Sequence, residues 1–145
     1  MAQLRLLLDV NVWLALFDER HQHNQSAIAL LAKPGIKIAT CPIIENGVLR
    51  ILSMPSYYLG RLSYQQIKDM MQMVCTQVDH KFWPDDLSLR ADDVLDWSRI
   101  SGHNQITDAY LLALTVKRGA CFASFDQKIA LSAVKNAQAK HLLLL

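Results

Sequence analysis

Along the chain, short continuous apolar runs alternate with longer stretches in which apolar residues return every three or four positions. Residues 4–8 form a run interrupted once, by Arg5, consistent with a strand buried on both faces. Asn11 is placed to cap a helix beginning at Val12-Trp13-Leu14-Ala15-Leu16. A second helix is expected over about 24–32, stopped by Pro34-Gly35, after which 36–40 alternates as a strand does. Pro42 suits the first turn of a third helix, whose stripe is Ile44, Val48 and Ile51 and whose end is Met54-Pro55. Ser63 with Gln66 is a capping-box pair, and Ile67, Met70, Met71 and Val74 continue at helical spacing toward Thr76. Phe82-Trp83-Pro84 breaks the chain after a short strand, and 91–99 reads as another helix. The segment 107–118 is predicted helical, with Lys117-Arg118 in its last turn and Gly119 just beyond. Strands are predicted at 120–125 and, short and buried, at 142–145. This alternation predicts an α/β protein, a three-layer α/β/α sandwich on a mostly parallel sheet, with ligands bound beyond the carboxyl ends of the strands.

Four acids fall where an apolar run ends or a helix begins. Asp9 closes the first run, Glu45 interrupts the apolar segment Cys41-Pro42-Ile43-Ile44, Asp108 follows Ile106-Thr107, and Asp126 follows Cys121-Phe122-Ala123-Ser124-Phe125. Taken singly each has an ordinary explanation: a turn residue for Asp9, an ion pair with Arg50 for Glu45, first-turn helix acids for Asp108 and Asp126. Together they describe an acidic pit at one edge of the sheet. Carboxylates so gathered repel unless protonated or neutralised, and hard oxygen ligands suit Mg²⁺ or Mn²⁺.

Composition narrows the class. At 145 residues the chain is expected to be one domain, 1–145, able to bury roughly 70% of its unfolded surface. Apolar residues make up 52% of it, yet no stretch reaches the ~18 residues of a membrane span and the start shows no signal-peptide pattern, so a cytoplasmic protein is expected. Cys41, Cys75 and Cys121 lack CxxC spacing and read as reduced and structural. The net charge is only +2, so attraction to nucleic acid has to come from a local patch.

The stretches Leu6-Leu7-Leu8-Asp9-Val10-Asn11-Val12, Thr40-Cys41-Pro42-Ile43-Ile44-Glu45-Asn46-Gly47, Gly102-His103-Asn104-Gln105-Ile106-Thr107-Asp108-Ala109 and Ser124-Phe125-Asp126 resemble the PIN-domain family. The likeness is specifically to VapC-type toxin ribonucleases of toxin–antitoxin systems, and it covers nearly the whole chain. Phe82-Trp83-Pro84-Asp85-Asp86 and Asp96-Trp97-Ser98 look like one subgroup of them. The resemblance implies that Asp9, Glu45, Asp108 and Asp126 are the catalytic, metal-holding acids, with Asn11 and Ser124 as supporting polar groups; many relatives have Thr in place of Ser124. It implies cleavage of RNA phosphodiester bonds with one or two divalent ions, Mg²⁺ or Mn²⁺, a homodimer, and a small antitoxin protein as partner. The Met-bearing stripe of 63–76 and Tyr57-Tyr58 agree with a dimer surface. A groove for the antitoxin is expected among the helices carrying Val12, Leu16, Val48 and Leu52.

Bare carboxylates repel RNA, so basic residues at the rim must grip neighbouring phosphates, and Arg50, Arg61, Arg99 and Lys128 are the expected ones. His21-Gln22-His23 lacks a convincing third ligand and is assigned to the surface or a helix start. His103 is expected to hold its loop by a hydrogen bond, and Trp13 and Tyr110 to pack in the core rather than stack on bases. The alternative from another class is a catalytically silent PIN-like module that binds RNA or protein; the presence of all four acids argues against it. A phosphotransferase using Asp9 as nucleophile would want a second Asp where Asn11 stands.

Overall fold

The computed structural model describes residues 3–57 and 62–145. Its centre is a sheet of five strands: β1 (Leu6–Leu8), β2 (Lys37–Thr40), β3 (Asp79–Phe82), β4 (Cys121–Ser124) and β5 (Leu142–Leu144). All pairings are parallel, in the order β3-β2-β1-β4-β5. β1 and β4 are buried throughout, as their unbroken apolar runs require of strands covered on both faces. β5 is an edge strand and only partly buried, which corrects the expectation of a buried one. Arg5, the interruption in the first run, is a cross-strand tie. Its guanidinium donates to the Ile38 carbonyl at 2.9 Å and the Asp79 carbonyl at 3.1 Å, and pairs with the Asp79 carboxylate at 2.8 Å.

Five helices complete the layers: α1 (Val10–Phe17), α2 (Asn24–Leu31), α3 (Pro42–Leu52), α4 (Tyr64–Gln77) and α5 (Ile106–Lys117). Ser63 and Gln66 form the reciprocal capping box at the start of α4. In α5 every residue from 109 to 115 is buried, so the helix runs inside the molecule instead of lying on it. Gly119, just past its end, has φ 63°, the left-handed conformation that glycine adopts without penalty. Trp13 and Tyr110 are core residues, and the Tyr110 hydroxyl donates to Asp85 at 2.8 Å.

Three further expectations are corrected. Asp9, not Asn11, caps α1, whose first residue is Val10; the Asp9 carboxylate accepts from the Val10 N–H, and Asn11 lies inside the first turn. Residues 91–99 do not form a helix. Leu95 makes an antiparallel bridge with Val134, Val94 and Asp96 bond to the backbone of Lys135 and Ala133, and only Trp97–Arg99 winds into a single 3₁₀ turn. Asp96 accounts for the difference, since its carboxylate takes both the N–H and the hydroxyl of Ser98, a local bond that competes with helix continuation. Third, of the four residues expected to mark the groove, Val12, Val48 and Leu52 are fully buried and fill the core, with Leu16 partly exposed; the cleft between the helices that carry them, α1 and α3, is lined instead by residues such as Val10, Ile43, Gly47 and Ile51.

α3 approaches α1 closely because residue 47 has no side chain: a Cβ there would lie 2.7 Å from a Val10 methyl. The strand order fixes where a ligand belongs. From β1 the chain builds outward to β2 and β3, then returns on the opposite side of β1 to lay down β4 and β5, so the topology reverses between β1 and β4. The crevice beyond the carboxyl ends of those two strands is where open α/β sheets bind ligands.

Candidate active site at the carboxyl ends of the first and fourth strands

Asp9 leaves β1 and Ser124 ends β4, so parallel pairing brings the two together, sealed by a bond from the Asp9 N–H to the Ala123 carbonyl. The buried Ser124 hydroxyl donates to Asp9 Oδ2 at 2.6 Å, while Val10 N donates to Oδ1 at 2.7 Å. The same hydroxyl accepts from Asn11 Nδ2 at 3.2 Å and from the Asp126 N–H at 3.0 Å, and Asn11 Oδ1 accepts from Phe125 N. One serine thus ties a carboxylate, a helix turn and the β4 exit into a fixed unit. Asp126 Oδ1 accepts from the Lys128 N–H, which closes the turn after β4.

Asp108 reaches this unit from the first turn of α5. Burial, and then the negative charges of Asp9 and Asp126 facing it, push its carboxyl up to about 7. Burial also raises Asp9, against the lowering effect of the Ser124 and Val10 hydrogen bonds. Three of the four expected acids therefore act on one another across the crevice.

Glu45 has an anchor of its own. Its Oε2 accepts from the Thr40 hydroxyl at 2.8 Å, at the carboxyl end of β2, and that hydroxyl also lies 2.7 Å from His80 Nε2 on β3. Among the described residues it makes no ion pair with Arg50. Arg50 instead lines a cleft of about 490 Å³ whose floor includes Asp9, Asn46 and Thr107. Lys128 shares a pocket with Asp108. Arg99 is exposed, 3.8 Å from Asp96, and borders neither cleft. Arg61 and Tyr58 lie outside the described residues.

The PIN domain family matches residues 6–135 of the chain. Ribonuclease VapC44 of Mycobacterium tuberculosis is 39% identical over 140 residues, covering 96% of this chain and 98% of its own. Ribonuclease VapC29 of the same organism is 32% identical over 127 residues (88% and 90%), and Ribonuclease VapC39 33% over 128 residues (88% and 92%). The chain belongs to the PIN-domain family, among the VapC ribonucleases. In this PIN domain the donor set at the crevice is carboxylate oxygen, which suits a hard divalent cation, and the proton that Asp108 keeps is the charge a cation would replace. Among the described residues no three His, Cys, Asp or Glu side chains are drawn into a ready ligand set.

Sequence reasoning missed Thr40 and His80. The hydroxyl reads as the end of a strand and the imidazole as one polar residue on an edge strand, and only the β2–β3 pairing brings them together. His103, in an exposed 3₁₀ turn, has no ring hydrogen bond among the described residues, against expectation. His23 begins α2 and stacks on Phe125 with ring centroids 4.2 Å apart, while His21 Nδ1 accepts from the His23 N–H, in keeping with a helix-start role. The three cysteines are free, and burial pushes each thiol up to about 11. Among the described residues no helix is long and apolar enough to cross a membrane.

Proposed function

We propose that the chain, as one PIN domain over 1–145, is a cytoplasmic endoribonuclease that hydrolyses RNA phosphodiester bonds with Mg²⁺ or Mn²⁺, and that it is the toxin of a toxin–antitoxin pair. The observation that carries the proposal is the meeting of Asp9, Asp108 and Asp126 at the topological switch point, where burial first, and then the facing charges of the other two, raise the Asp108 carboxyl. The names of the relatives, ribonucleases matched along almost their whole length, support the substrate class.

Asp9, Asp108 and Asp126, with Glu45 from the neighbouring wall, would hold the ion. When bound, it supplies an activated water and neutralises charge on the scissile phosphate and leaving oxygen. Ser124 and Asn11 fix the Asp9 carboxylate so that it need not reorganise during the reaction. Arg50 and Lys128, which line the same clefts as Asp9 and Asp108, would grip phosphates on either side, and Arg99 and Arg61 complete the proposed RNA contacts. A nuclease of this kind needs restraint in the cell, and a small antitoxin protein that folds on binding fits that need. A homodimer completes the proposed assembly.

Induced expression of the chain alone should arrest growth of its host and create new RNA 5′ ends, and co-expression with a neighbouring small antitoxin gene should relieve both. Asp108→Asn should do neither. Normal growth with an unchanged 5′-end map would reject the toxin role.

A further inference from the structure

The Thr40 hydroxyl has one proton and two polar neighbours, Glu45 Oε2 at 2.8 Å and His80 Nε2 at 2.7 Å. A carboxylate accepts and does not donate, so the proton belongs on the Thr40–Glu45 bond and the hydroxyl oxygen must accept from His80 Nε2–H. That order selects one histidine tautomer, with the proton on Nε2 and a bare Nδ1. Thr40 is wholly buried and anchored at the last position of β2, where its carbonyl accepts from Trp83 N at 2.8 Å. Glu45 is on the next element, in the first turn of α3. His80 is half-buried on β3, opposite Ile38 of β2. The result is a three-residue chain from the sheet edge to one of the four acids, engaging only Oε2 and leaving Oε1 without a hydrogen bond among the described residues.

We infer that Thr40 and His80 are positioning residues for Glu45, holding one carboxylate oxygen in a fixed hydrogen bond so that the other is available to a divalent cation. This rests on the assignment of Glu45 as a metal-holding acid proposed above. Carboxylate ligands in metal sites are commonly fixed by such outer partners, and losing one costs about 10- to 100-fold in affinity. The bland alternative is that the chain only staples β3 to β2. A staple would influence melting but not metal binding through Glu45.

Mn²⁺ binding to the full chain, followed by the loss of the free-ion electron paramagnetic resonance signal, separates the two. Thr40→Val and His80→Leu should each weaken binding about tenfold, while Thr40→Ser and His80→Gln, which keep the hydroxyl and an N–H donor, should restore it. In a Glu45→Gln background neither Thr40→Val nor His80→Leu should weaken binding further. Nitrogen-15 spectra of the unaltered chain should show the His80 proton on Nε2. Undiminished Mn²⁺ affinity in folded Thr40→Val and His80→Leu, equal losses in the Glu45→Gln background, or a proton on Nδ1 would each overturn the inference. Should Thr40→Val fail to fold, the His80 pair and the tautomer decide. If Glu45→Gln itself leaves Mn²⁺ affinity unchanged, Glu45 is not a ligand and the inference falls with that assignment.

Discussion

Asp108 carries the clearest residue-scale consequence, because its carboxyl keeps a proton up to about 7 in the folded chain against an ordinary value of 3.8. Between those values the folded state binds more protons than the unfolded state, so the Asp108 contribution to stability falls as pH rises from about 4 to about 7 and is level above. Thermal melts in chelator should show this decline in the unaltered chain and a smaller one in Asp108→Asn, with Asp108→Asn at least as stable at pH 7.5. Added Mn²⁺ should raise the melting temperature of the unaltered chain more than that of the variant; equal shifts would place the ion elsewhere. Ser124→Ala leaves Asp9 Oδ2, Asn11 Nδ2 and the Asp126 N–H without their shared partner. A loss of about 1–3 kcal/mol is expected from urea unfolding, together with reduced RNA cleavage; a loss near zero would show that the network adds nothing to the fold.

Element-scale packing explains both what was readable and what was not. Apart from the helix expected at 91–99, the predicted order of strands and helices survives because it rests on unbroken apolar runs and helical spacing, signals set by burial itself. Asn11 was misplaced because Asp and Asn are equally good caps, and only the β1 register shows that Asp9 takes the position while Asn11 turns to Ser124. Residues 91–99 have helical composition, but Asp96–Ser98 bonding and the Leu95–Val134 bridge are tertiary and local choices that periodicity does not encode. The four acids could be picked out one by one, yet the anchoring of Glu45 depends on Thr40 and His80, which lie on β2 and β3, 40 residues apart in sequence. Gly47 is also an element-scale feature. Gly47→Ala gains roughly 1 kcal/mol of helix propensity but drives a Cβ to 2.7 Å from Val10, an overpacking costing about 1–3 kcal/mol. The variant is expected to melt lower and to bind Mn²⁺ less tightly, since Val10 is next to Asp9; a higher melting temperature would mean that α1 and α3 separate freely.

At the scale of the whole molecule, a small net charge of +2 means that the RNA attraction proposed above would have to come from the cations beside the pit and from a bound ion. Homodimerisation is expected, and sedimentation at micromolar concentration should give twice the chain mass of 16.4 kDa; a single chain mass would refute it. The central claim, that the crevice between β1 and β4 is a metal-dependent RNA-cleaving site, has a more direct test. Purified chain is incubated with a structured RNA in Mg²⁺ or Mn²⁺, in excess chelator, and with Asp108→Asn replacing the unaltered protein. Cleavage should occur with either ion, stop in chelator and return when the ion is restored. With Asp108→Asn it should fall by more than the roughly 10- to 100-fold that follows loss of an outer partner alone. Full cleavage in excess chelator, or undiminished cleavage by a folded Asp108→Asn, would show that this crevice is not a metal-dependent cleaving site.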